Sequence, residues 1–225
     1  MPFTSATFDF LRELAANNER AWFQENRARY QRDVRAPAVA FILAVGEALN
    51  DLSPHLRADP RPVGGSLFRI HRDVRFARDK RPYKTSVGVQ FRHARGRDAH
   101  APGLYLHIEP GACFVGLGVW RPSPPALRAI RDRLVEDPAG WRAAVSGKPF
   151  RSTFSLDGEG LSRAPRGYDP GHPLIEDLKR KDFVAVHHIP DDFVTAPSLP
   201  EDFLRVAGAG EPFLRYLCGA LDVPF

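Results

Sequence analysis

The tetrapeptide Glu109-Pro110-Gly111-Ala112 limits the folds open to this chain more than any other feature. Proline at the second position of a turn and glycine at the third favour a type II turn. Because apolar residues alternate on both sides of it, residues 104–109 and 112–120 are predicted to pair as antiparallel strands. If Glu109 faces Ala112, one face of this hairpin is apolar, and it carries Leu104, Leu106, Ile108, Cys113, Val115, Leu117 and Val119.

The opposite face of the hairpin combines polar and aromatic side chains with two glycines. It carries Tyr105, His107, Glu109, Phe114, Gly116, Gly118 and Trp120. Glycines in the interior of a strand allow another group to approach the sheet closely. Either a helix or a ligand would fit against these glycines, and the sequence leaves both occupants open.

Periodicity along the rest of the chain predicts its other elements. Helical spacing predicts helices within residues 5–52, with Pro37 in the first turn of the last one. Alternation predicts strands at 66–76, 86–92 and 183–189. Helices are expected at 124–135, at 173–181 and at 200–221, the last with an interruption near Gly208, Gly210 and Pro212. We therefore expect residues 1–225 to form a single α+β domain, mainly an antiparallel sheet packed with N-terminal and C-terminal helices.

The positive charge of the chain is concentrated in one segment. The net charge is +5, whereas residues 61–100 alone carry +8. Such an excess attracts anions, whether small metabolites, nucleic acid or an acidic protein. Two cysteines are too few for a disulfide framework, the N-terminus lacks the pattern of a signal peptide, and the longest apolar stretch is too short to span a membrane. We expect a cytoplasmic protein with no membrane partner.

Several common enzyme signatures are missing from the sequence. It contains no Walker-type phosphate loop, no serine nucleophile elbow, no Cys-x-x-Cys pair and no His-Glu-x-x-His motif. Gly116-Leu117-Gly118 lies inside a predicted strand with no helix start after it, so it is not a dinucleotide-binding fingerprint. The sequence therefore has no signature of a nucleotide cofactor or a metal, and no residue stands out as a nucleophile.

The densest group of charged residues runs from Arg69 to Ser86. Its pattern is Arg69, Arg72-Asp73, Arg75-Phe76, Asp79-Lys80 and Tyr83. In this pattern the chain resembles a widespread bacterial family known as domain of unknown function 2461. The resemblance extends to residues 105–118, 163–169, 172–173 and 179–183. It implies no activity, because none is established for the family, so the residues have to be interpreted from their chemistry.

Two interpretations of this motif are open. On a continuous strand Arg69, Asp73 and Arg75 share a face, and an aspartate between two arginines is expected to stay ionised. In the first interpretation the motif is a preorganised anion-binding pocket built from Arg69, Arg72, Asp73, Arg75, Lys80, Tyr83 and Lys84. In the second, the same charges form an ion-pair network that fixes the loop 77–85, with Tyr83 packed inside and Asp79 acting as a cap.

A second locus is predicted from His107, Glu109, Arg166, Tyr168 and His172. His107 and Glu109 point the same way at strand spacing, which suits general acid–base catalysis. They are also two metal ligands, but no third or fourth ligand follows from the spacing, so no metal site is predicted. His172 precedes a predicted helix start, where free N–H groups bind anions, and the alternative for this region is a solvated surface loop.

Three functions are compatible with these features. The favoured one is binding of a small phosphorylated or carboxylated molecule between residues 69–85 and the face of Gly116, with catalysis left open. The alternative is nucleic-acid binding, supported by Arg92, Arg95 and Arg97 on a predicted hairpin loop and by nearby aromatic residues. The third is a protein-interaction or structural module in which the Arg–Asp network only builds the fold.

Overall fold

The computed structural model describes residues 2–95 and 101–225. Its N-terminal part is helical, as the apolar spacing predicts. These elements are α1 (Ser5–Ala16), α2 (Arg20–Glu25), α3 (Arg27–Tyr30), a π-helical turn (Gln31–Arg35) and α4 (Ala36–Leu52). Pro37 stands in the first turn of α4, and the carbonyl oxygen of Asp33, four residues earlier, accepts a hydrogen bond from the Thr7 hydroxyl at 2.6 Å. None of the helices in the described ranges is both long enough and apolar enough to cross a membrane.

Six strands in the described part of the chain form one antiparallel sheet with the order β1-β2-β3-β4-β6-β5. They are β1 (Leu56–Arg57), β2 (Val87–His93), β3 (Gly103–Ile108), β4 (Phe114–Val119), β5 (Ser155–Asp157) and β6 (Phe183–His188). The predicted hairpin and its register are confirmed, because Leu106 pairs with Val115 and the turn is closed by a bond from Ala112 N to Glu109 O of 2.9 Å. Gly111 has a φ of 75°, which a type II turn requires at this position.

The C-terminal half adds helices and the strands β5 and β6. The helices are α5 (Pro124–Glu136), α6 (Pro138–Ser146), α7 (Lys148–Thr153), α8 (Ile175–Leu178), α9 (Asp191–Thr195), α10 (Leu199–Ala209) and α11 (Glu211–Ala220). The interruption expected within 200–221 occurs at Gly210, and the helix expected at 173–181 is shorter than predicted. The α+β class, with an antiparallel sheet and helices at both ends of the chain, is confirmed.

The helices pack on one face of the sheet. The rings of Phe41 on α4, Phe91 on β2 and Phe203 on α10 meet with centroids 5.4–6.0 Å apart. Trp141 on α6 is fully buried and contacts Phe183 on β6 at 5.8 Å. The apolar face of the hairpin lies in this core, so the face that carries Tyr105, His107 and Gly116 points away from the helices.

The prediction of a strand at residues 66–76 is wrong. This segment forms only isolated bridges, between Leu67 and Val89 and between His71 and Tyr83. Of the alternating apolar positions, Ile70 is buried whereas Phe76 is 96% exposed. The chain turns instead because the Asp73 carboxylate accepts a hydrogen bond from the backbone N–H of Arg75, two residues on. Such local side-chain bonds compete with strand pairing, and sequence alternation does not show them.

Candidate functional site

The face of the sheet on which no helix of residues 2–95 and 101–225 packs contains a cavity of about 500 Å³. Every residue that lines it comes from a strand or from a loop beside a strand, and strands β2 to β6 all contribute. A second groove, of about 540 Å³, lies between α4 and β1, but it is more open to solvent and contains none of the motif residues. The cavity on the sheet is therefore the candidate site.

Two glycines make room for this cavity. A Cβ atom at Gly88 would lie 2.5 Å from Tyr105 Oη, so the Tyr105 ring lies directly over β2. A Cβ atom at Gly116 would meet its nearest neighbour, a Phe114 ring carbon, at 3.5 Å, which is ordinary contact distance. A Cβ atom at Gly116 is thus accommodated without a clash, and Gly116 lines the cavity. Of the two occupants that the sequence left open, a helix does not cover this face in the part of the chain that the structure describes.

The walls of the cavity are mainly apolar. They include the rings of Phe68, Phe114 and Trp120 and the side chains of Val184 and Val186. Trp120 is half exposed at the rim, and Val186 is buried. Sites for small molecules in proteins typically combine such apolar walls with a few placed polar groups.

Lys84 is the only lysine or arginine among the cavity-lining residues that the structure describes. Its Nζ lies 5.2 Å from the centre of the Phe68 ring, and within the described ranges it makes neither a hydrogen bond nor an ion pair. Burial, and secondarily the charge of Arg69, lowers the pKa of Lys84 below its usual value. A partly desolvated cation without a counter-ion is a favourable partner for an anion.

A chain of hydrogen bonds runs along β3 into the cavity. Tyr105, His107 and Glu109 occupy alternate positions, so their side chains lie on the same face. Tyr105 Oη lies 3.1 Å from His107 Nδ1, and His107 Nε2 lies 3.1 Å from Glu109 Oε2. Thr85 Oγ1 donates to the other Glu109 oxygen at 3.4 Å. Tyr105 and His107 line the cavity, whereas Glu109 lies outside it with 41% of its side chain exposed.

Aromatic stacking holds the rings of Tyr105 and His107 in place. His107 stacks on Phe114 with centroids 4.7 Å apart and an angle of 15° between the planes. Tyr105 packs at 5.7 Å from Phe114 and 5.8 Å from Phe68. Burial, and secondarily the Glu109 charge, raises the pKa of Tyr105 to about 12, so its hydroxyl is protonated at neutral pH.

Most of the charged motif forms ion pairs outside the cavity. Arg72 Nη1 contacts Asp79 Oδ2 at 2.7 Å, and Asp79 also binds the side chain and the backbone N–H of Arg81. Hydrogen bonds from the side chain and the backbone of Arg75 lower the pKa of Asp73 to about 2, which favours the ionised carboxylate at neutral pH.

The other motif residues also lie outside the cavity lining. Lys80 Nζ donates to Val74 O at 3.0 Å, and Arg69 is exposed. Of the seven residues predicted for the anion pocket, Lys84 alone lines the cavity. A ligand-binding role for the other six stays a prediction.

Tyr83 anchors the motif to the helices and thereby positions Lys84. Its side chain is 3% exposed and stacks on Phe23 of α2 at 4.1 Å. The buried Asn18 side chain donates to Tyr83 O and accepts from Tyr83 N, both at 3.0 Å. The next residue, Lys84, donates its backbone N–H to Ile70 O at 2.7 Å. These contacts of Tyr83 and Lys84 thus fix the backbone from which the Lys84 side chain extends to the cavity. A structural role of the motif and a ligand-binding role of Lys84 are therefore compatible.

The residues of the predicted second locus do not form one site. His107 lines the cavity on the sheet, whereas Arg166, Tyr168 and His172 are not part of its lining. Tyr168 Oη donates to Asp132 Oδ1 on α5 at 2.7 Å. His172 Nδ1 accepts the backbone N–H of Leu174 at 3.1 Å, in a turn that precedes the short helix α8.

Sequence reasoning did not assign Phe68, Gln90, Asp157, Val184 and Val186 to the site, although all of them line the cavity. Val184 and Val186 pair with Gly118 and Gly116 across β4 and β6. Alternation of 183–189 predicts a strand but not its neighbour in the sheet, so no local pattern identifies these residues. Among the described residues no group of three or more His, Cys, Asp and Glu side chains is placed to hold a metal. Arg97, assigned to the nucleic-acid alternative, lies outside the described residues.

Comparison with known proteins identifies the family of the chain. Residues 6–216 match the family model described as conserved hypothetical protein (DUF2461), so the chain belongs to this family, as the motif indicated. No curated protein and no solved structure matches the chain. The family description names no activity, and the function has to be argued from the cavity.

Proposed function

We propose that this member of the DUF2461 family binds a small carboxylated or phosphorylated molecule with a planar apolar body in the cavity on the open face of its sheet. The observation that carries the proposal is Lys84, which lines a mainly apolar cavity and whose ammonium group has no ion-pair partner among the described residues. Burying a cation without a partner costs free energy. An anionic ligand offsets that cost, and this favours anions over neutral molecules of the same shape.

The shape of the cavity supports a planar ligand body. Phe68 lies at the β2 side of the sheet, because its backbone N–H donates to Gly88 O at 2.9 Å. Phe114 lines the cavity from β4, and Val186 on β6 pairs with Gly116 on β4. A volume of about 500 Å³ is in the range of typical small-molecule sites, which extends from about 300 to 1,000 Å³.

Binding of matched probes tests the proposal. Phenylacetate and phenyl phosphate carry the anion on an aromatic ring, and benzyl alcohol is a neutral comparison. Calorimetric titration is expected to show that the anions bind and that Lys84→Met weakens them about 10- to 100-fold, because a hydrogen bond to a charged group contributes about 1.5–3 kcal/mol. Benzyl alcohol should bind weakly and equally to both proteins.

The control for this experiment is Lys179→Met. Lys179 is also partly buried, with 22% of its side chain exposed, but it pairs with Glu176 at 2.7 Å and does not line the cavity. Unchanged anion affinity in Lys179→Met together with a loss in Lys84→Met supports the proposal. Equal affinity of wild type and Lys84→Met for both anions, or no binding of either anion to wild type, contradicts it.

Nucleic-acid binding is the second candidate, and one observation favours it. Phe76 is 96% exposed and lies beside Arg75, whose guanidinium carbon is 6.0 Å from its ring centre. An exposed ring next to arginines suits base stacking on a single strand. A short oligonucleotide should then bind with a steep dependence on salt, and Phe76→Ala should weaken it. Salt-independent affinity, or equal affinity of wild type and Phe76→Ala, contradicts this second function.

A further inference from the structure

The hydrogen bonds that run from Glu109 through His107 end at the hydroxyl of Tyr105, a residue that lines the cavity. Tyr105 Oη and His107 Nδ1 are 3.1 Å apart, and His107 Nε2 and Glu109 Oε2 are also 3.1 Å apart. A carboxylate at Nε2 favours the tautomer that carries its proton there. Nδ1 of this tautomer is an acceptor, so it takes the hydrogen bond of the Tyr105 hydroxyl. His107 Nδ1 is therefore a base that accepts the hydrogen bond of the Tyr105 hydroxyl proton.

The second relevant feature is the location of Tyr105 relative to Lys84. The Lys84 Nζ and the Tyr105 ring both pack near Phe68, at 5.2 Å and 5.8 Å from its ring centre. Both residues line the cavity. A ligand whose carboxylate is bound by Lys84 therefore has its remaining atoms in the cavity that Tyr105 also lines.

From these two features we propose that the cavity catalyses proton transfer between carbon and oxygen in an aryl-substituted 2-oxo acid, with Tyr105 as the catalytic acid–base residue. The inference rests on the proposed function, because Lys84 has to hold the carboxylate. The aromatic ring of the substrate lies against the apolar walls. The reaction is a keto–enol tautomerisation, which needs neither an oxidant nor a second substrate.

The proton balance closes within the site. The Tyr105 oxygen takes a proton from the carbon next to the carbonyl, and in the same step its own hydroxyl proton moves to His107 Nδ1, so no free phenolate forms. The electron pair of the broken C–H bond moves to the carbonyl oxygen and gives an enolate. Tyr105 then donates its proton to the enolate oxygen and recovers its own from His107. Glu109 stabilises the transient imidazolium and is a positioning residue.

The experiment follows the tautomerisation of phenylpyruvate by the ultraviolet absorbance of its enol, with binding measured separately by calorimetry. Wild type should accelerate the reaction over buffer, and Tyr105→Phe should lower kcat at least about 100-fold, since general acid–base groups contribute about 10²–10⁴-fold. Glu109→Gln should lower kcat with little change in KM and should shift the pH profile of kcat. Tyr105→Phe should still bind phenylacetate.

Tyr216→Phe is the matched control. The Tyr216 hydroxyl is also hydrogen-bonded, to Arg133 O at 2.9 Å, and burial likewise raises its pKa to about 12, but it does not line the cavity. The kcat of Tyr216→Phe should equal that of wild type. Full activity of Tyr105→Phe, or no catalysis by a wild-type protein that binds phenylpyruvate or phenylacetate, overturns the inference and leaves the proposed function intact. Failure of wild type to bind any aryl anion overturns both.

Discussion

Gly116 and Gly118 lie two residues apart on the same face of β4, yet the structure predicts opposite effects of substituting them. At Gly116 a Cβ atom meets Phe114 at an ordinary 3.5 Å. At Gly118 the backbone has a φ of 118°, and a Cβ atom would clash with the Phe183 carbonyl oxygen on β6. Only the first position therefore accepts a side chain, and it faces the cavity.

The magnitudes follow from backbone entropy and strain. Gly116→Ala should stabilise the protein by about 0.4–1 kcal/mol, because alanine has fewer conformations in the unfolded chain. For a chain of this length that corresponds to a rise in Tm of about 1 to 4 °C. Gly118→Ala should cost about 1–3 kcal/mol or more from the strained backbone, which lowers Tm by about 2 to 12 °C.

Substitution of Gly116 by a larger residue tests ligand binding independently of folding. Gly116→Leu fills the cavity above the sheet and should keep the fold, whereas the affinity for phenylacetate should fall about 10- to 100-fold, as expected when an aromatic ring loses about 1.5–3 kcal/mol of burial. Urea unfolding followed by circular dichroism gives the stabilities, and calorimetry gives the affinity. If Gly116→Ala destabilises the protein by more than about 1 kcal/mol, another part of the chain fills this space and the cavity is not a binding site. If Gly116→Leu binds phenylacetate like wild type, the ligand binds elsewhere.

Three further predictions concern the anchor and the charges of the site. Asn18→Ala should lower the free energy of unfolding by about 1–3 kcal/mol, because the buried backbone polar groups of Tyr83 lose their partners; an unchanged urea midpoint would refute the anchoring role. Lys84→Met should leave the stability of the ligand-free protein unchanged or raised, since it removes a partly desolvated charge; a loss above about 1 kcal/mol would show that the charge has a structural partner. Stability should fall between about pH 10 and pH 12, because the pKa of Tyr105 is about 12 in the fold and about 10 in the unfolded chain, so the unfolded chain loses its proton first. Tyr105→Phe should reduce that fall in pH-dependent unfolding curves, and equal curves would contradict the raised pKa.

The hairpin could be predicted because its determinants are local. The turn at Pro110-Gly111 sets the strand ends, and alternation then decides which side chains share a face. The same reasoning placed Tyr105 and His107 beside Gly116 on the face that carries the cavity. What it did not decide is whether a helix covers that face, because the positions of the helices depend on contacts between residues far apart in the sequence.

The charged motif shows where local patterns fail. Its alternation predicts a strand, but the carboxylates of Asp73 and Asp79 bind backbone N–H groups two residues further on and turn the chain. As a result Arg72 pairs with Asp79, and Lys84 reaches the cavity. Sequence spacing indicated a dense group of cations but could not indicate which of them lines a cavity.

Binding of an aryl anion by Lys84 on the open face of the sheet can be observed in a crystal structure of the protein with phenylacetate. The carboxylate is expected within hydrogen-bond distance of Lys84 Nζ, and the ring between Phe68 and Phe114, over Gly116. A ligand bound among the arginines of residues 69–81, or a bound ligand anywhere outside this cavity, would contradict it.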